Sequence, residues 1–93
     1  MTRFRLLGDM WTLYHLPIVK HDDGKRVRAQ CDKEARRIEI AQDHAKGQEH
    51  LELLLHELLH ALNWLASEKV VTEAARDMAR VITRLGYSRA DER

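Results

Sequence analysis

Residues 51–65 are apolar at almost every position, and the polar interruptions are Glu52, His56, Glu57, His60 and Asn63. A helix that is apolar nearly all round belongs in a core, so this segment constrains the fold more than any other. A chain of 93 residues can cover it only by spending most of its remaining apolar side chains on one modest core. The expectation is a single domain over residues 1–93.

Within that run, His56-Glu57-Leu58-Leu59-His60 has the spacing H-E-x-x-H. Two imidazoles four residues apart on a helix are offset by about 40° and one turn, so both can hold one metal ion from the same face. The residue types are those of a zinc-hydrolase site: two neutral nitrogen ligands, an open coordination position, and a carboxylate, Glu57, beside a metal-bound water. Burying an unpaired polar group costs on the order of 1 to 3 kcal/mol, and a metal with its water satisfies all three side chains together. The competing arrangement is a buried helix whose histidines bond to backbone and whose Glu57 meets an arginine. The expected cofactor is Zn2+, with His56 and His60 as ligands and Glu57 as catalytic base.

Composition narrows the class without naming it. The chain is 44% hydrophobic and 33% charged with a formal net charge of +1, which leaves no electrostatic footprint for nucleic acid or an anionic membrane. No segment reaches the roughly 18 to 20 apolar residues needed to span a bilayer, and no signal-peptide pattern opens the chain. A cytoplasmic protein is expected, and the single Cys31 fits a reducing compartment.

The fold class expected is α+β: an antiparallel sheet of three to four strands followed by an antiparallel pair of helices, the first carrying H-E-x-x-H. Residues 3–7 and 10–16 flank Gly8-Asp9 and read as a hairpin, with Trp11, Leu13 and His15 on one strand face and Pro17 ending the ladder. A turn at Asp23-Gly24 precedes a strand in which Val27, Ala29 and Cys31 alternate with Arg26, Arg28 and Gln30. Ile38 and Ile40 point inward from the next. The first helix is expected from Gly47 or Gln48 to about Leu65. Ser67 then caps a second helix that runs to about Leu85 and stops at Gly86. Residues 88–93 are polar and expected to fray.

Two histidines and a water leave a zinc site one protein ligand short. Glu68 and Glu73 are the main candidates, with Asp32, Cys31 or another histidine behind them. On the second helix Glu68 falls about 60° from Val71, at the edge of the buried face, whereas Glu73 falls about 160° away among Lys69, Arg76, Arg80 and Arg84. Axial position argues the other way: with a turn near Ala66, the residue level with His60 is 72 or 73. The face outweighs the level, because a glutamate cannot reach through its own helix.

The stretch Leu53-Leu54-Leu55-His56-Glu57-Leu58-Leu59-His60-Ala61-Leu62, followed by Ser67-Glu68-Lys69-Val70-Val71 and an alanine-rich helix, resembles the very small zinc metallopeptidases encoded by phages and prophages, a minimal gluzincin-like branch of the H-E-x-x-H zincin clan. The Gln30-Cys31-Asp32 and Arg37-Ile38-Glu39-Ile40 strands are similar to that family's short sheet. The resemblance implies that His56 and His60 bind zinc, that Glu57 is the general base, and that Glu68 completes the site. It implies a peptide or protein substrate and, for a phage protein, the host cytoplasm. Thermolysin-like enzymes differ in a longer connection to the third ligand and in a second lobe.

The function expected is zinc-dependent peptide-bond hydrolysis, with Tyr14, Tyr87 and His15 as candidate oxyanion donors and an exposed sheet edge aligning the substrate. The alternative is a non-catalytic zinc module, structural or protein-binding, with its fourth position closed by Cys31 or His44. The basic residues Lys25, Arg26, Arg28, Arg36 and Arg37 read as solvated strand faces rather than a nucleic-acid surface, so neither nucleic acid nor membrane is an expected partner. Cys31 reads as a core thiol, Trp64 as packing at the helix end, and His21, His44 and His50 as solvent-facing.

Overall fold

A computed structural model describes residues 1–44 and 46–87, with His44 described by its backbone alone. Strands β1 (Thr2–Leu6) and β2 (Asp9–Leu16) form the expected hairpin. Its two-residue turn is Leu7-Gly8 rather than Gly8-Asp9, one residue earlier than the glycine suggests. Both turn residues have positive φ, 49° and 85°, the twist a tight hairpin needs, and Gly8 takes the second position without strain. After β3 (Val19–Lys20), β4 (Arg26–Val27), β5 (Ala29–Asp32) and β6 (Arg37–Ala41) come a 3-10 turn at Gln42–His44 and helices α1 (Gly47–Leu62) and α2 (Glu68–Arg84).

The fold is α+β as expected, but the main sheet is mixed. Its order is β1-β2-β6-β5, and β6 lies parallel to β2, with Leu13 beside Ile38 and His15 beside Ile40. The purely antiparallel sheet is therefore corrected. Strand β2 has pairing edges on both sides, and β6, whose Ile38 and Ile40 are fully buried, takes the central place. Alternation reveals which face of a strand is buried, not which neighbour it pairs with. The strand expected through residues 26–31 is also divided at Arg28: β4 pairs with β3 in a separate two-stranded sheet, while β5 pairs antiparallel with β6. That leaves β5 as an edge of the main sheet.

Trp11 and Leu13 from β2 and Ile38 and Ile40 from β6 form the core, with Leu53, Leu54, Leu58 and Ala61 of α1 packed onto it. Full burial of one such side chain contributes about 1.5 to 3 kcal/mol, so this face of the sheet is what holds α1 in place. The run at 51–65 is less enclosed than its composition suggests. A four-stranded sheet covers one side and α2 another; the leucines of α1 as far as Leu59 are half-buried, Leu62 is exposed and Leu65 is 93% exposed.

Helix α1 ends at Leu62, three residues before the sequence-based expectation. The backbone N–H of Asn63 donates to Leu59 and that of Ala66 donates to Asn63, closing a turn in which Leu65 faces outward. Ser67 caps α2 as expected, its hydroxyl accepting from the Val70 N–H at 3.2 Å. The helices run antiparallel, because Glu68 lies beside His60 while Arg76, two turns further along α2, lies beside Glu52. No described helix is long and apolar enough to cross a membrane.

Candidate metal centre

His56 and His60 are one turn apart on α1, and their Nε2 atoms are 3.1 Å apart. Glu68, the first residue of α2, meets both: Oε1 is 2.8 Å from His56 Nε2 and Oε2 is 2.9 Å from His60 Nε2. Among the described residues these three form the one cluster whose donor atoms are placed to hold a metal ion. Glu73 is exposed and stands outside the cluster, as the helical face requires. The objection from axial position disappears because α1 stops at Leu62. The turn then falls earlier, and the residue level with His60 is 68 rather than 72.

The His56 and His60 ring centroids are 4.8 Å apart at 64°. A second histidine pair, His15 on β2 and His50 on α1, has Nε2 atoms 2.9 Å apart and ring centroids 5.1 Å apart. That pair ties sheet to helix.

Glu57 is 7% exposed and lines the same cleft as the triad. Burial first, and the negative charge of Glu68 second, push its carboxyl up from 4.5 to about 7. An acid there exchanges its proton readily near neutrality, the property required of a group that takes a proton and returns it. Cys31, reaching into the cleft from β5, is pushed up to about 12 by burial, Glu57 and Asp32. Its thiol stays protonated, and it is not part of the metal-competent cluster. The side chain of His44, the other expected candidate for closing a fourth position, lies outside the described residues.

The cleft has a volume of about 1190 Å³ and runs along the β5 edge, with Ala29, Gln30, Cys31 and Asp32 on one wall and His56, Glu57, His60 and Glu68 on the other. Several sequence expectations change here. Trp64 is not simply helix-end packing: it lines the cleft, its ring 6.5 Å from His60 and Lys33 Nζ 6.0 Å above it. His50 is buried rather than solvent-facing. Tyr14 lies under the Arg37 guanidinium, Tyr87 is exposed beyond the end of α2, and His15 is bonded to His50; none of these proposed oxyanion donors lines the cleft. A network that alternation alone did not reveal joins Arg37 and Gln30 to Glu39 on the β5–β6 face, where both donate to its carboxylate. Register supplies the missing signal, since Gln30 pairs with Glu39 directly across the ladder. Comparison of the chain with protein-family models, curated protein sequences and solved structures returned no match.

Proposed function

We propose that this protein is a zinc-dependent peptidase of minimal size, similar to the small phage and prophage zincins and working in the host cytoplasm. The single observation that carries the reading is the convergence of His56, His60 and Glu68 beside the buried Glu57 in an open cleft. His56 and His60 would hold zinc through Nε2 and Glu68 through its carboxylate. Zinc bound there supplies a Lewis acid that acidifies water and polarises a carbonyl.

The chain's own groups do the rest. Glu57 accepts a proton from the attacking water and returns it to the departing amine. The free β5 edge offers backbone N–H and C=O groups to an extended peptide, which would bind as an added strand beside the metal ligands. Trp64 and Lys33 bound one end of that groove and restrict which side chains fit there.

The test combines metal analysis with a peptide-library cleavage assay. Purified protein is expected to carry one equivalent of zinc, to lose it in His56→Ala and Glu68→Ala, and to keep it in Glu73→Ala. Glu57→Gln is expected to retain zinc and lose cleavage by a factor on the order of a hundred or more. Zinc retention with undiminished cleavage in Glu57→Gln would overturn the mechanism. Full occupancy in Glu68→Ala would overturn the ligand set.

A further inference from the structure

Helix α2 buries Val71, Ala75 and Ala79 against the rest of the domain, yet its apolar surface does not stop there. Val70 is 60% exposed, Met78 40%, Val81 58% and Leu85 69%. With about 100° of rotation per residue, these four and Ala74 fall within about 80° of one another, a continuous stripe roughly four turns long. Scattered apolar residues on a surface need no explanation, but a contiguous helical stripe marks a contact.

The pattern selects the occupant. The stripe is nearly symmetric about the midpoint between Asp77 and Met78, so an antiparallel copy of the same helix would set Val70 against Leu85, Ala74 against Val81, and the two Met78 side chains beside the axis. Charges on the open flank of the stripe follow the same symmetry. Glu73 sits in the first half, Arg84 in the second, and in an antiparallel pair like flanks meet. Glu73 of each copy therefore faces Arg84 of the other. Asp77, near the axis, keeps Arg80 of its own helix at 3.8 Å as counter-charge. Glu68 lies about 120° around the helix from the centre of the stripe, so this contact leaves the cleft open.

We infer that α2 is a homodimer interface in which two copies pair antiparallel through Val70, Ala74, Met78, Val81 and Leu85, with reciprocal Glu73–Arg84 contacts. One helix on each side makes a contact below the standard size for a tight complex, so the dimer dissociates on dilution.

Sedimentation analysis of the full chain from about 5 to about 500 µM tests this, with circular dichroism checking the fold of each variant. The wild-type protein shifts from monomer to dimer across that range. Val81→Glu, at an exposed position, stays monomeric throughout. Glu73→Arg and Arg84→Glu each weaken association about tenfold or more, and the double exchange restores it, because it rebuilds the reciprocal pairs in reverse. A wild-type monomer at the highest concentration, a dimer unaffected by Val81→Glu, or a double exchange no better than either single variant would each overturn the proposal.

Discussion

The position of Glu57 predicts an antagonism between stability and chemistry in the metal-free protein. Its carboxyl titrates at about 7 in the folded chain against 4.5 ordinarily, so the folded state binds the proton more tightly than the unfolded state does. The sign follows from linkage. The stabilisation tied to the protonated acid is complete below the unfolded value and disappears as pH rises through the folded one; above about pH 7 the native state must hold an ionised carboxylate in a 7% exposed position. At 1.36 kcal/mol per pKa unit, the displacement from 4.5 to about 7 corresponds to roughly 3 kcal/mol at full ionisation. Glu57→Gln keeps the shape and removes the charge.

Urea unfolding of wild type and Glu57→Gln, both with metal chelated, measures the effect at about pH 5 and about pH 8, and linear extrapolation gives the two stability differences. Comparing these two differences cancels whatever glutamine does to packing. The variant should gain on wild type by about 2 to 3 kcal/mol between the two conditions, because wild type has lost its protonated-acid stabilisation at the higher pH and the glutamine protein never had one. In thermal unfolding this corresponds to about 10 °C or more for a domain of this size. A stability difference that stays constant from pH 5 to pH 8 would show that Glu57 is neither desolvated nor crowded by Glu68, and its poise for proton transfer would lose its physical basis.

Other perturbations separate the parts of the structure. Ser67→Ala removes the cap of α2 and should cost about 1 kcal/mol in urea unfolding while also weakening zinc binding, since Glu68 is the next residue; unchanged zinc affinity would show that the cap does not position the ligand. Cys31, with its thiol at about 12, should react with iodoacetamide at pH 8 on the order of a thousandfold more slowly than a free thiol in the metal-free native protein, and labelling at the free-thiol rate would refute its protection. Ile40→Ala should cost about 2 to 5 kcal/mol, whereas Leu65→Ala, at a 93% exposed position, should change stability by less than about half a kcal/mol; equal costs would misplace the core.

The strands were legible where local rules suffice. Ile38 and Ile40 alternate with charged neighbours and are fully buried, Pro17 follows the last residue of β2, and Ser67 caps α2. Pairing was not legible, because β2 and β6 are joined through three intervening strands, and nothing in either strand's alternation specifies a parallel neighbour. The burial of His50 was hidden for a related reason. A histidine in the polar first turn of a helix reads as solvent-facing until the sheet brings His15, 35 positions away in sequence, to its Nε2.

For the site, the decisive quantity was the length of the turn between the helices. Rotation about α2 already separated Glu68 from Glu73, since the angle of a side chain depends only on its place in a regular helix. Its level along the axis depends on where α1 stops, and a run as apolar as residues 51–65 gives no internal mark of its end. Asn63 supplies that mark weakly: its N–H still donates to Leu59, but its φ of −140° and ψ of 84° have left the helix. Moving the end from Leu65 to Leu62 slides α2 by about one turn relative to α1 and brings the first carboxylate of α2 level with the second histidine. The same shift frees Trp64 to turn into the cleft beside His60. One three-residue difference in a helix boundary thus explains both the convergence of Glu68 on the two histidines and the side chain whose role changed.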